Sequence, residues 1–194
     1  MRRTIIGLLV AMLLTAGLAS PSGAAGRPNT LFDVVDRSGE GFDGSLADFD
    51  VLEAAIRTAG LEGALSDSSI KWTVFAPRDS AFLRTARDLG YAGPADEAQA
   101  WDFLVETLTV LGDGDPIPVL RNILLYHVSP WQLRSHQVLN RKEINTALGV
   151  NFKVRRGNVL VDTANGIINP RIIAVDVKAS NGIVHVLDRL LLPL

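Results

Sequence analysis

The 194-residue chain has no cysteine. That absence removes a disulfide framework, a thiolate zinc site, a thiol nucleophile and a lipid-carrying cysteine. Net charge is also scarce: 19 lysines and arginines against 21 aspartates and glutamates leave −2. Such a balance exerts no global pull toward nucleic acid or acidic lipid. Histidines number 3, at positions 127, 136 and 185, and none stands at His-x-x-x-His spacing, so zinc is not expected. The sequence contains no G-x-S-x-G, H-E-x-x-H or P-loop, no Asn-x-Ser/Thr sequon, and no repeat at solenoid periods. What it does have is 47% hydrophobic residues, too many for a disordered chain and enough for one self-sufficient core.

Arg2 and Arg3 precede an uncharged run, Ile5 to Leu18, and small residues follow to Ala25. A basic start, a short apolar core and a small-residue exit predict a secretory signal peptide over residues 1–25, cleaved after Ala24 or Ala25. The run of 14 residues falls short of the ~20 that a permanent transmembrane helix needs; an uncleaved N-terminal anchor is the alternative. The expected location is therefore secreted, extracellular or in a periplasm or cell envelope, with no stable membrane span after cleavage. Lack of cysteine suits that setting in a bacterium.

Along the remaining chain, Val51, Leu52, Ala55, Ile56 and Ala59 recur at helical spacing and Gly60 closes the pattern. Residues 71–76 (KWTVFA) predict a strand. Asp79 stands where the N-cap of the next helix belongs, before Phe82, Ala86 and Leu89. Two further helical stripes run from Trp101 to Leu111 and from Val119 to Leu124. After Pro130 the period shortens to two, and Gly157-Asn158, Asn165-Gly166 and Asn181-Gly182 predict turns of an antiparallel meander. Helices first and strands last make the fold class α+β.

Three blocks carry a family resemblance: Thr73-Val-Phe-Ala-Pro-Arg-Asp-Ser-Ala-Phe82, Leu124-Leu-Tyr-His-Val128, and Asn181-Gly-Ile-Val-His-Val-Leu-Asp-Arg-Leu-Leu-Leu-Pro193. In this order they resemble the fasciclin (FAS1) domain, over about residues 29–193. The resemblance implies a β-wedge of antiparallel strands with flanking helices, one domain over residues 29–194, extracellular and adhesive rather than catalytic. Arg78 and Trp131 depart from the small polar residue and the glycine that the family favours there. The integrin-binding peptides of some animal members are not recognisable.

The candidate binding surface is Tyr126, His127, Trp131 and Arg134. The resemblance places the Tyr126–His127 segment beside an adhesive surface, although both residues also read as core-edge groups tied to backbone. Trp131 is either a binding anchor or a core residue folded inward. Asp79, Asn181, Gly182 and His185 read as structural. Lys153, Arg155 and Arg156 form a basic edge that deters strand pairing or meets an anionic surface. Gly39-Glu-Gly41-Phe-Asp-Gly44 matches G-x-G-x-x-G by letter but reads as a flexible loop, since the hairpin-linked strands supply no βαβ unit. No catalytic, cofactor or metal residues are expected. The function expected is a non-catalytic adhesion or extracellular protein-interaction module, with a protein or glycan of the envelope as partner and no nucleic acid. The alternatives are a small-ligand or lipid carrier, marked by a ligand-sized apolar pocket, and a hydrolase, marked by Ser, His and Asp converging in space.

Overall fold

The computed structural model describes residues 29–39 and 41–194; the expected signal segment over residues 1–25 lies outside them. Three helices come first: α1 (Leu31–Asp36), α2 (Asp50–Ala59) and α3 (Glu62–Ser66). Thr30 caps α1 in a capping box with Asp33. Gly60 ends α2 in the left-handed conformation that glycine adopts without steric cost. Strand β1 (Trp72–Pro77) leads into α4 (Asp79–Asp88), α5 (Glu97–Leu111) and α6 (Pro116–Tyr126). Asp96 and Asp115 cap α5 and α6 through the amides of Gln99 and Ile117. The rest is β2 (Val128–Ser129), α7 (Ser135–Leu139), β3 (Glu143–Ile144), β4 (Phe152–Arg155), β5 (Val159–Val161), β6 (Ile172–Ala179) and β7 (Gly182–Leu187).

The strands form two sheets, in the orders β2-β1-β7-β6 and β3-β4-β5. The α+β wedge expected from the sequence is the fold observed. Every pairing is antiparallel except β1 with β7, which run parallel from Trp72 beside Gly182 to Pro77 beside Leu187. Those two strands lie more than a hundred residues apart in the chain, so no hairpin signal announces their direction. Ile167 and Ile168, after Asn165-Gly166, are irregular, and α7 occupies part of the polar stretch after Pro130. Strand β4 sits in the middle of its sheet. Lys153 and Arg155 are exposed on it, but they do not guard a sheet edge as expected.

Alternation along β1 divides the interior. Val74 and Ala76 face the helical core of α2, α4, α5 and α6. Phe75 between them faces a second core with Tyr126, Phe152, Leu187 and Leu191. A central strand buried on both faces needs a continuous apolar run, and Val74 to Pro77 supply it. Phe75 and Tyr126 both meet Phe152 edge-on, at 5.1 and 5.8 Å between ring centroids. Leu31 and Val35 of α1 belong to the helical core, so α1 packs with the helices that follow it.

Candidate functional site

The segment after Pro130 is an irregular connector pinned at two points by one buried hydroxyl. Thr73 Oγ1 donates to the Trp131 carbonyl at 2.7 Å and accepts from the Leu133 amide at 2.8 Å. Leu133 and Val138 turn inward and are buried. With its backbone fixed and its neighbours committed to the core, the Trp131 side chain points out and is 62% exposed. Arg134 is exposed too, and its amide donates to the Gln137 side chain at 2.9 Å. Behind the connector, Gln132, Arg134 and Gln137 share with Lys178 and Ile183 a shallow polar cleft of about 170 Å³.

Strand β6, at the edge of its sheet, continues this side of the molecule. Its Ile173, Val175 and Val177 are exposed. Register shifts break its pairing with β7 on either side of Ala174. Asp176 lies there at φ 59°, and its carboxylate accepts from the Ser135 amide and hydroxyl at 2.8 and 2.6 Å. The bulge thereby ties the edge strand to the start of α7. The alternation from Ile173 to Val177 was legible in the sequence; that the strand is an edge was not.

Tyr126 and His127 are not on that surface. Tyr126 is fully buried, and its hydroxyl reaches the Asn151 carbonyl at 3.3 Å. Burial pushes its pKa up to about 12. His127 is 3% exposed. Its Nδ1 meets the Ile123 carbonyl at 2.8 Å and its Nε2 meets the Leu191 amide at 3.0 Å. Only the neutral ring with hydrogen on Nδ1 satisfies both bonds, and burial pushes the pKa down to about 4. The end of α6 faces into the molecule, so the expected four-residue surface divides: Trp131 and Arg134 outside, Tyr126 and His127 inside as the core-edge reading had them.

Ser135, Asp176 and His185 do converge, but in an order that supports no acyl transfer. The serine hydroxyl binds the aspartate, not the histidine. His185 Nε2 donates to the Leu133 carbonyl at 3.0 Å, while Nδ1 accepts from the Asp176 amide at 3.3 Å. Both ring nitrogens are spent on backbone, and the ring is buried. A nucleophile–base pair is missing from this trio. The apolar pocket between α4, α5 and α6 encloses about 50 Å³, far below the ~300–1,000 Å³ of a ligand site.

Asp79 caps a helix, though not the expected one. It occupies the first position of α4 rather than its N-cap, which is Arg78. Its carboxylate reaches across to α2 and accepts from the Asp50 and Val51 amides at 3.0 and 2.9 Å. In return the Asp79 and Ser80 amides donate to the Asp48 and Leu46 carbonyls, each at 3.0 Å. This reciprocal clasp gathers carboxylates around Asp48. Oxygens of Asp43, Asp48 and Asp50 lie within 4.8 Å of one another, as do those of Asp48, Asp79 and Glu97. Burial, then a hydrogen bond to Asp48, push Asp79 up to about 8. Burial and neighbouring carboxylates also raise Asp50 and Glu97. Sequence reasoning passed over this group; the spacing of Asp43, Asp48 and Asp50 was the available signal, but Asp79 and Glu97 come from other segments.

Asn181 and Gly182 are structural as expected. Asn181 accepts from the Leu31 amide at 2.7 Å and donates to the Leu65 and Asp67 carbonyls at 2.8 and 2.9 Å. A Cβ on Gly182 would collide with the Trp72 carbonyl of the parallel partner strand.

Among the described residues no helix is long and apolar enough to cross a membrane. Comparison with known proteins agrees with the geometry. The chain is 36% identical over 146 residues to protein sll1483 of Synechocystis, covering 75% of this chain and 67% of that protein. It is 31% identical to the transforming growth factor-beta-induced protein ig-h3 of Sus scrofa, over 75% of this chain but only 18% of that protein. Among solved structures, a FAS1 domain pair from the insect cell adhesion molecule Fasciclin I shares the fold, with a TM-score of 0.55, 16% identity, and coverage of 84% of this chain and 50% of that one. The Fasciclin domain profile matches residues 47–193, three quarters of the chain and nearly all of the described core, and the chain belongs to the Fasciclin domain family.

Proposed function

We propose that the chain is a secreted, non-catalytic FAS1 module that binds an extracellular or envelope protein or glycan through the connector and the neighbouring β6 edge. The observation that carries this reading is the exposed Trp131 on a backbone held at both ends by Thr73. A large aromatic fixed in place loses little freedom on binding, and tryptophan and arginine dominate the energetics of desolvated contacts. Arg134 supplies a charged group beside it. The exposed Ile173, Val175 and Val177 add apolar area on an edge able to accept an extended segment. The membership of the insect adhesion molecule in the same family lends support to an adhesive role. The misordered Ser135–Asp176–His185 trio and the small apolar pocket favour it over a hydrolase or a ligand carrier.

The test places a photo-crosslinking residue at position 131 and, as control, at the exposed Val110 on α5. Partner capture from 131 alone is expected. With that partner purified, Trp131→Ala and Arg134→Ala should leave stability within ~0.5 kcal/mol. Trp131→Ala should remove ~2 kcal/mol or more of binding. Unchanged affinity in both folded variants would move the surface elsewhere.

A further inference from the structure

We propose that Asp43, Asp48 and Asp50 bind a calcium-class divalent cation, with Glu97 of α5 adjoining it through Asp48. Two ligand oxygens on opposite sides of calcium lie about 5 Å apart, twice the ~2.3–2.6 Å bond. The oxygens of the three aspartates fall inside that span, within 4.8 Å of one another. All donors are carboxylates, which select a hard cation over zinc or copper.

Independent of the clustering, buried oxygens here have no partner. Asp50 is 3% exposed, and neither of its carboxylate oxygens makes a hydrogen bond; Asp48 Oδ1 and Glu97 Oε1 are likewise unpartnered. The Asp43 amide favours an ionised Asp50 without completing a hydrogen bond to it. Glu97, also 3% exposed, uses its other oxygen to accept from the Gly44 amide at 3.2 Å. Among the described residues no lysine, arginine or histidine forms an ion pair with Asp43, Asp48, Asp50, Asp79 or Glu97. Buried carboxylates are normally paired, hydrogen-bonded or bound to metal, and for both Asp50 oxygens, Asp48 Oδ1 and Glu97 Oε1 the first two are not supplied.

The backbone is arranged to hold the group. The clasp between Asp79 and residues 46–51 fixes Asp48 and Asp50. Gly41 and Gly44 adopt φ of 89° and 87°, which lets the loop fold back over them. Gly39 comes so near Asp50 that a Cβ there would strike its Oδ1. Asp43 is exposed, which leaves an entry path and room for water to complete the 6–8 oxygens that calcium takes. A bound ion would fasten the 41–49 loop onto the starts of α2 and α5.

The test strips the full chain with chelator and titrates it with calcium chloride by calorimetry, with magnesium chloride in parallel. One saturable calcium site is expected, with a dissociation constant of about 0.1–1 mM, as in extracellular modules. Melting temperature should rise with calcium as linkage requires. Asp50→Asn should weaken calcium roughly tenfold or more while leaving the chelated protein no less stable, because it removes one of several mutually repelling charges. Asp43→Asn, in the exposed loop, should show the same loss with an unchanged melting temperature in chelator. Asp113→Asn, an exposed change elsewhere, should alter neither. Absence of both saturable heat and a melting shift at millimolar calcium overturns the proposal and leaves a cluster held by shared protons. A calcium response that survives in both Asp43→Asn and Asp50→Asn overturns it as well.

Discussion

The Leu191 amide donates to His127 Nε2 at 3.0 Å, and this bond exists only while the imidazole is neutral. It joins the end of α6 to the C-terminal segment inside the core. Burial pushes the folded pKa down to about 4, below the 6.5 of a free imidazole. Between those values the unfolded chain takes up a proton that the folded chain refuses. Stability from His127 is therefore complete above about pH 6.5 and lost as pH falls toward 4. The full difference is on the order of 3 kcal/mol. Burial lowers His185 as well, which adds to the fall in the same direction. Denaturation measured from pH 7 to 4 should show this loss, and His127→Gln should flatten it while lowering stability at pH 7. An unchanged pH slope in His127→Gln would place the titration elsewhere.

Asn181 binds three backbone groups from α1, α3 and the turn after α3. Its side chain is fully buried, so Asn181→Ala leaves a donor and two acceptors without partners. A loss of about 3 kcal/mol or more is expected, at 1–3 kcal/mol per unsatisfied group. Asn181→Asp should not rescue it. The carboxylate keeps the bond from Leu31 but presents negative charge to the Leu65 and Asp67 carbonyls. Urea denaturation is the measurement, and a drop in midpoint at constant slope is the expected result.

Asn181 also shows what the sequence could and could not convey. The Asn-Gly pair announces a turn, and a turn connects β6 to β7. That its amide links helices at the other end of the chain depends on the parallel docking of β7 on β1. Period and punctuation identified the longer helices α2, α4, α5 and α6 and most of the strands, because those signals are local. The closing and opening signature blocks resemble a known family because they fill its two central strands. Exposure of Trp131 was not legible: it follows from Thr73, 58 residues away, holding the connector with Leu133 turned inward. The placement of Asp79 across from α2 and Glu97 beside Asp48 is likewise a product of tertiary packing.

Asp79→Ala discriminates between the expected and the observed cap. Removing the carboxylate frees the Asp50 and Val51 amides at the start of α2. A cost of ~0.5–2 kcal/mol is expected. Hydrogen exchange should quicken at those two amides and at the first turn of α2. The Ala81 and Phe82 amides of α4 bond to the Arg78 carbonyl and should keep their protection. The opposite pattern would restore the cap to α4.

Thr73 lets the scaffold and the proposed contact be separated in one residue. Its hydroxyl is the link between the buried centre of β1 and the connector that displays Trp131. Thr73→Val preserves shape and β-branching but removes both hydrogen bonds. The buried Leu133 amide then has no acceptor, at a cost of about 1–3 kcal/mol. Thr73→Ser keeps the hydroxyl and should restore most of that loss. The informative comparison is between binding and stability. If Trp131 binds as a preorganised anchor, Thr73→Val weakens the partner interaction at temperatures where the domain remains fully folded, because the connector must be ordered anew on binding. Exchange at the Leu133 amide should rise in the same variant, reporting that the connector has loosened locally. Weakened stability with unchanged affinity in the folded protein would show that Thr73 serves the fold alone, and that the Trp131 surface does not depend on a fixed backbone.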